Sequence, residues 1–179
     1  MTTPSESTDI TEKEINEAQQ AWCDGLIDIC KEYQNGGDYR GKAERFLDRM
    51  YDFGGSRVFF RPTLAMAPQN FRTTRQGALS YFIGEDPEFP QDDGFIKKGW
   101  ISARFDNQIE GKDAIQVHGN IGIAMGNVYL RQAEVTPGGK EVVVDKLFVF
   151  MKTSGHPRLI VHNSAVSNIA DTEVPEDPK

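Results

Sequence analysis

Between Ile15 and Tyr33 the apolar side chains recur at spacings of three and four: Ile15, Ala18, Trp22, Leu26, Ile29, Cys30 and Tyr33. Such spacing gathers them on one side of an α-helix. Thr11-Glu12-Lys13-Glu14 precedes the run and reads as a capping box, Thr11 accepting from the Glu14 amide while Glu14 reaches back. Asn35-Gly36-Gly37 stops the helix. A second stripe, Ala43, Phe46, Leu47, Met50 and Tyr51, predicts another helix from Asp38 to Asp52, ended by Gly54-Gly55. From Arg57 onward the period changes. Arg57-Val58-Phe59-Phe60 predicts a short strand closed by Arg61-Pro62, and Ala67 to Arg72 a loop or single helical turn. Ala78-Leu79-Ser80-Tyr81-Phe82-Ile83 reads as a strand ending at Gly84, with an exposed acidic loop from Glu85 to Asp93. Four strands follow: Trp100 to Ile109, Ala114 to Leu130, Glu141 to Lys152 and Arg158 to Ser167. The second is too long to run straight, and Gly119, Gly122 and Gly126 predict bulges that curl it.

Helices first and strands afterwards is the order of an α+β fold, not of alternating βα units. The predicted architecture is a set of N-terminal helices packed in a curved antiparallel sheet. A long helix laid in a curved sheet makes a cone with an interior cavity, a usual place for a small-molecule site. One domain spans 11–167. Residues 1–10 are expected to form a disordered arm and 168–179 an acidic disordered tail.

The last strand holds the most chemistry. Alternation puts Leu159, Val161, Asn163 and Ala165 on one face and Arg158, Ile160, His162, Ser164 and Val166 on the other. Polar groups sit among apolar ones on both faces, so the pattern leaves open which face is inward. Elsewhere the candidates are hydroxyls beside aromatic rings: Thr63, Ser80, Tyr81 and Tyr129.

Composition removes several function classes. The chain carries 20 basic and 27 acidic residues, a net charge of −7, and shows no basic stripe for nucleic acid. No apolar run approaches the ~20 residues that span a bilayer, and the N-terminal stretch lacks the basic and apolar regions of a secretory signal. Cys23 and Cys30 lie on one predicted helix, roughly 10 Å apart along its axis, too far to bridge. Two reduced core thiols favour a cytoplasmic location. The three histidines, His118, His156 and His162, fall on separate segments with no zinc-type spacing, so neither metal nor cofactor is expected. No glycine-rich phosphate loop opens onto a helix.

Several segments, in order over about residues 57–167, resemble the iota-class carbonic anhydrases. These have the nuclear-transport-factor-like cone fold and are related to the association domain of calcium/calmodulin-dependent kinase II. The segments are Arg61-Pro62-Thr63-Leu64-Ala65, Phe71-Arg72, Ala78 to Gly84, Asp93-Gly94-Phe95, Gly99-Trp100, Arg104-Phe105 with Asn107, Ala124-Met125-Gly126-Asn127 and His162-Asn163-Ser164-Ala165. The resemblance implies metal-free hydration of carbon dioxide to bicarbonate. Thr63 and Tyr81 would orient water or bicarbonate, Phe60, Phe82 and Ser80 would line the substrate, and His162 and Ser164, or Asn163 in their place, would complete the network. It also implies a homodimer or larger assembly. The family usually ends in His-His-Ser-Ser, whereas this chain has His162-Asn163-Ser164-Ala165. By resemblance to the kinase domain, the second pair, Asn163 and Ala165, is expected to face inward. That would replace a base and a hydroxyl, and Asn accepts no proton in the physiological range. The rival is a non-catalytic module of the same fold that binds a small anion or assembles copies. A cyclase or isomerase would need a pocket acid or base that the residues do not reveal.

Overall fold

The computed structural model describes residues 8–133 and 141–167. The expected tail at 168–179 and all but the end of the expected arm lie outside them. Within the described end, residues 8–10, Ile10 is buried and its N–H donates to Gly119 O.

The first helix, α1, runs Glu12–Gln34 and is capped as expected: the Glu14 amide donates to Thr11 and the Thr11 amide donates to Glu14. Ile15, Ala18, Trp22, Leu26, Ile29 and Cys30 are all buried on one face. The second, α2, runs Tyr39–Met50 from an Asp38 cap and buries Ala43, Phe46, Leu47 and Met50. After α2 comes β1, Phe59–Arg61.

Arg75–Ile83 is a third helix, α3, where a strand was predicted. Thr74 caps it, accepting from the Gly77 amide. The alternative was invisible because Gly77, Ala78 and Ser80 through Ile83 are buried, so no polar face marks a helical period. A short apolar run of that kind is ambiguous from pattern alone.

After a short 3-10 helix, Phe95–Lys98, come the strands: β2 Trp100–Asp106, a small β3 Gln108–Ile109 and β4 Lys112–Asp113 hairpin, β5 Ile115–His118, β6 Ile121–Gln132, β7 Glu141–Met151 and β8 Arg158–Val166. The predicted single strand from Ala114 to Leu130 is instead the β5–β6 hairpin, turning at Gly119 with φ of 57°. The order is β1-β8-β7-β6-β2, with β5 beside the other half of β6. The large sheet is antiparallel except at one edge, where β1 runs parallel to β8. Two glycines of β6 set its shape. A Cβ at Gly126 would lie 2.1 Å from the Asp106 carbonyl, where the chain turns out of β2. A Cβ at Gly122 would lie 2.5 Å from Ile15, so this glycine lets α1 settle into the sheet. The enclosed core is aromatic: Trp22, Phe46, Tyr51, Phe60, Phe82, Phe148 and Phe150. Phe95 and Trp100 join it.

Candidate active site

Tyr81 comes from the last turn of α3, and Thr63 from the chain just past β1. The Tyr81 ring stacks on Phe95 at 5.6 Å and meets the edge of Phe60 at 5.6 Å. Its hydroxyl is held neutral: burial pushes its pKa up, opposed by hydrogen bonds from the Leu64 amide and from Thr63. Beside it opens a cavity of about 60 Å³ whose lining pairs the apolar Leu64, Met66, Tyr81 and Phe95 with the polar Gln91, Asp92, Asp93 and Lys98. That is room for a water and a very small molecule. Ser80 does not face this space. Its hydroxyl donates to Asp92 Oδ2 at 2.7 Å, and Arg72 donates to Asp92 Oδ1 at 2.7 Å. Asp92, in the loop expected to be exposed, is therefore half of a buried ion pair that shapes one wall of the cavity.

The second cluster lies deeper. Across the β7–β8 ladder Val149 pairs with Val161 but Phe150 pairs with Leu159, so Ile160 is an extra residue. This bulge breaks the alternation. Leu159 is inward before it, and His162 and Ser164 are inward after it. His162 is 1% exposed and Ser164 0%. Asn163 and Ala165 point outward and are exposed. The expectation that the second pair faces inward is thus reversed by the bulge.

His162 lies against Phe60 at 4.4 Å and Phe148 at 4.6 Å. Around it runs a network that the sequence reading missed. Trp22 Nε1–H donates to Tyr51 Oη at 3.0 Å. The Tyr51 proton then has His162 Nδ1, at 2.8 Å, as its acceptor among the described residues. Nε2 therefore carries the ring proton. Nε2 is 2.9 Å from Ser164 Oγ and 2.9 Å from Lys146 Nζ, which are themselves 2.6 Å apart. An ammonium there would set donor against donor. A neutral amine removes the conflict: its lone pair is then the terminal acceptor of the chain that runs from Trp22 through Tyr51 and His162, with the Ser164 hydroxyl between His162 Nε2 and Lys146 Nζ. Lys146 is 7% exposed, and no carboxylate pairs with it among the described residues. Burial lowers its pKa to about 7, and burial together with Lys146 holds His162 well below the ordinary imidazole value.

Both shifts make the fold pH-dependent in the same sense. Lysine in an unfolded chain titrates near ~10.4, and Lys146 in the fold titrates at about 7. Between these values the unfolded chain holds the extra proton, so stability rises with pH, and below them the cost is felt in full. The gap is worth on the order of 4 kcal/mol. His162 adds to it below ~6.5, where the unfolded imidazole charges first. The urea midpoint of the wild type is expected to rise from pH 7 to 9, and Lys146→Met to flatten that rise. An equal rise in both proteins would contradict a charge-free Lys146.

The two clusters are neighbours separated by Phe60, which touches Tyr81 on one side and His162 on the other, with Phe82 stacked on it at 6.0 Å. Phe60 thus contacts both clusters, and Phe82 packs on it from the Tyr81 side. Phe60 pairs with His162 and Arg61 with Asn163. Continued one place, this register brings Pro62 level with Ser164 and sets Thr63 just beyond. Arg61 Nη1 also donates to the Ser164 carbonyl. Ser164 therefore lies toward the end of β8 at which β1 leads out to Thr63. Tyr129 lies apart, under the Arg104 guanidinium at 3.6 Å. His156 bonds the Arg49 carbonyl and His118 is exposed, so the histidines do not converge. Among the described residues no three His, Cys, Asp or Glu side chains gather as a metal-ligand set. One signal for Lys146 was legible: it alternates with Val144, Phe148 and Phe150, a polar residue on an apolar face.

Residues 13–166 match the family described as metal-independent carbonic anhydrase. The chain is 39% identical over 167 residues to a metal-independent carbonic anhydrase of Nostoc sp., covering 92% of this chain and 77% of the relative. Its structure is similar to that of a cyanobacterial iota-carbonic anhydrase complexed with bicarbonate. That similarity has a TM-score of 0.83 and 36% identity over 95% of this chain and 100% of the other. It also shares its fold with a putative calcium/calmodulin-dependent protein kinase II association domain from Xanthomonas campestris. There the TM-score is 0.58 at 12% identity, over 95% of this chain and 100% of that one.

Proposed function

This chain belongs to the metal-independent carbonic anhydrase family, and on that premise we propose that it catalyses the reversible hydration of carbon dioxide to bicarbonate, with the Thr63–Tyr81 pair as its reacting centre. The observation that carries the reading is the neutral Tyr81 hydroxyl, fixed by Thr63 and the Leu64 amide, at the wall of a cavity of about 60 Å³. Carbon dioxide is small and apolar, and Leu64 and Phe95 suit it. Thr63 holds the attacking water. As the water oxygen bonds to carbon, one C–O π pair moves onto oxygen, and the Tyr81 hydroxyl donates to that developing charge. Positioning the water beside the carbon supplies the remaining acceleration. The departures from the family's terminal motif, Asn163 and Ala165, fall on the outer face, while His162 and Ser164 remain inside. This supports retained activity.

The test is stopped-flow carbon dioxide hydration by chelator-treated protein whose metal content is measured in the same sample. Hydration at sub-stoichiometric metal is expected. Folded protein without activity would favour the anion-binding or assembly module instead.

The outer face of the sheet supports self-association. Ile123, Val149, Val161 and Phe59 form one row in register across β6, β7, β8 and β1, with Met125 and Leu147 beside it. Phe59 is 52% exposed and Met125 49%. Light scattering is expected to give a homodimer or larger, and a monomeric mass would reject this. The buried free thiols Cys23 and Cys30 support a reducing, cytoplasm-like setting.

A further inference from the structure

We propose that Lys146 is the proton acceptor of the hydration step, reached through the Ser164 hydroxyl. The inference rests on the hydration reading above and adds to it the group that reading lacks. Hydration releases a proton, and the Thr63–Tyr81 pair cannot take it, since the Tyr81 hydroxyl stays protonated.

Three observations converge on Lys146. It is a buried amine with no carboxylate partner among the described residues, set in the core between Val144 and Phe148 on β7. Its Nζ is 2.6 Å from Ser164 Oγ, which lies toward the end of β8 where β1 leads out to Thr63. The hydrogen-bond accounting from Trp22 through Tyr51 and His162 leaves its lone pair as the terminal acceptor. The other titratable groups that face the network do not compete. Cys23 on α1 is pushed up to about 12 by burial. Tyr51, beyond α2, and Tyr81, on α3, are both raised by burial. His162 on β8 is held neutral.

One O–H bond of water breaks while its oxygen bonds to the carbon of carbon dioxide, giving bicarbonate. That proton passes to Ser164 Oγ as the Ser164 proton bonds to the Lys146 lone pair. Lys146 becomes an ammonium. Passage of that proton back to water or a buffer base resets the amine. Ser164 relays, His162 holds Ser164 in place, and Lys146 stores the proton.

The experiment is the pH dependence of kcat/KM for wild type and Lys146→Met, each shown to be folded by near-ultraviolet circular dichroism. The wild-type rate is expected to rise through a single ionisation near 7 to a plateau. Lys146→Met is expected to lose about 10²-fold or more at the plateau and to lose that ionisation. A variant that keeps the wild-type profile overturns the proposal and leaves the hydration reading standing. A wild type inactive at every pH overturns the hydration reading instead. A second measurement does not depend on the variant's fold. In protein labelled with ¹³C at lysine Cε, one resonance is expected to titrate near neutrality, and ordinary lysine titration of every resonance would also overturn the proposal.

Discussion

Tyr81→Phe is expected to lower the rate of carbon dioxide hydration by about 10²–10³-fold, the usual cost of one donor to a developing oxyanion. The fold should survive. The ring keeps its contacts with Phe60, Phe82 and Phe95 and loses one hydroxyl with its bonds to the Leu64 amide and Thr63. That hydroxyl acts as charge develops on oxygen, so kcat and kcat/KM should fall together. A drop confined to KM would assign Tyr81 to binding alone, and unchanged kinetics would remove it from the mechanism. Stopped-flow kinetics on the variant, with its melting temperature matched to the wild type, decide between these outcomes.

Arg72→Met should be the most damaging change to the fold itself. Arg72 and Asp92 are paired at 2.7 Å with side chains only 1% and 3% exposed. Removing the guanidinium leaves a buried carboxylate with Ser80 as its remaining side-chain donor. Breaking such a pair from one side costs about 3–5 kcal/mol. Arg72 also covers the Phe89 ring at 4.7 Å, a contact that methionine keeps in part. The pair is not itself a large source of stability, since Arg72 Nε is buried without a hydrogen-bond partner. Arg72→Met with Asp92→Leu is therefore expected to recover much of the loss. Urea unfolding of both variants checks this. If the double variant is as unstable as the single one, the damage comes from packing and not from the stranded charge. Asp92 also lines the cavity beside Tyr81, so the single variant should lose hydration activity even at temperatures where it stays folded.

The likeness to carbonic anhydrases was legible before any fold because it lies in short ordered segments. Thr63 and Tyr81 belong to two of them; in the structure Thr63 hydrogen-bonds Tyr81, and Tyr81 lines the cavity. Ser80 was legible as a hydroxyl near Tyr81, but not its bond to Asp92. A helix sends adjacent residues about 100° apart, whereas the predicted strand would have placed them on opposite faces.

What the sequence determined by itself is what neighbours along the chain decide. Caps, stripe spacing and glycine stops place α1 and α2 to within a residue or two, because helical hydrogen bonds close over four residues and the buried face repeats every 3.6. The change of period at Arg57 marks the passage to sheet for the same local reason. Tertiary structure decided the rest. Ala78 to Ile83 is helix, and burial of all of it but Leu79 removed the polar face that would have announced it. The long strand became a hairpin because Gly119 takes a positive φ there. The inward face of the last strand was decided by one unpaired residue, Ile160, opposite a partner strand that the chain reaches through an intervening turn. A strand's alternation is a local rule, but its phase is set by pairing with a distant strand, and a single bulge inverts it. That inversion put His162 and Ser164 beside Lys146, a juxtaposition of three residues from two strands that no spacing within either strand encodes.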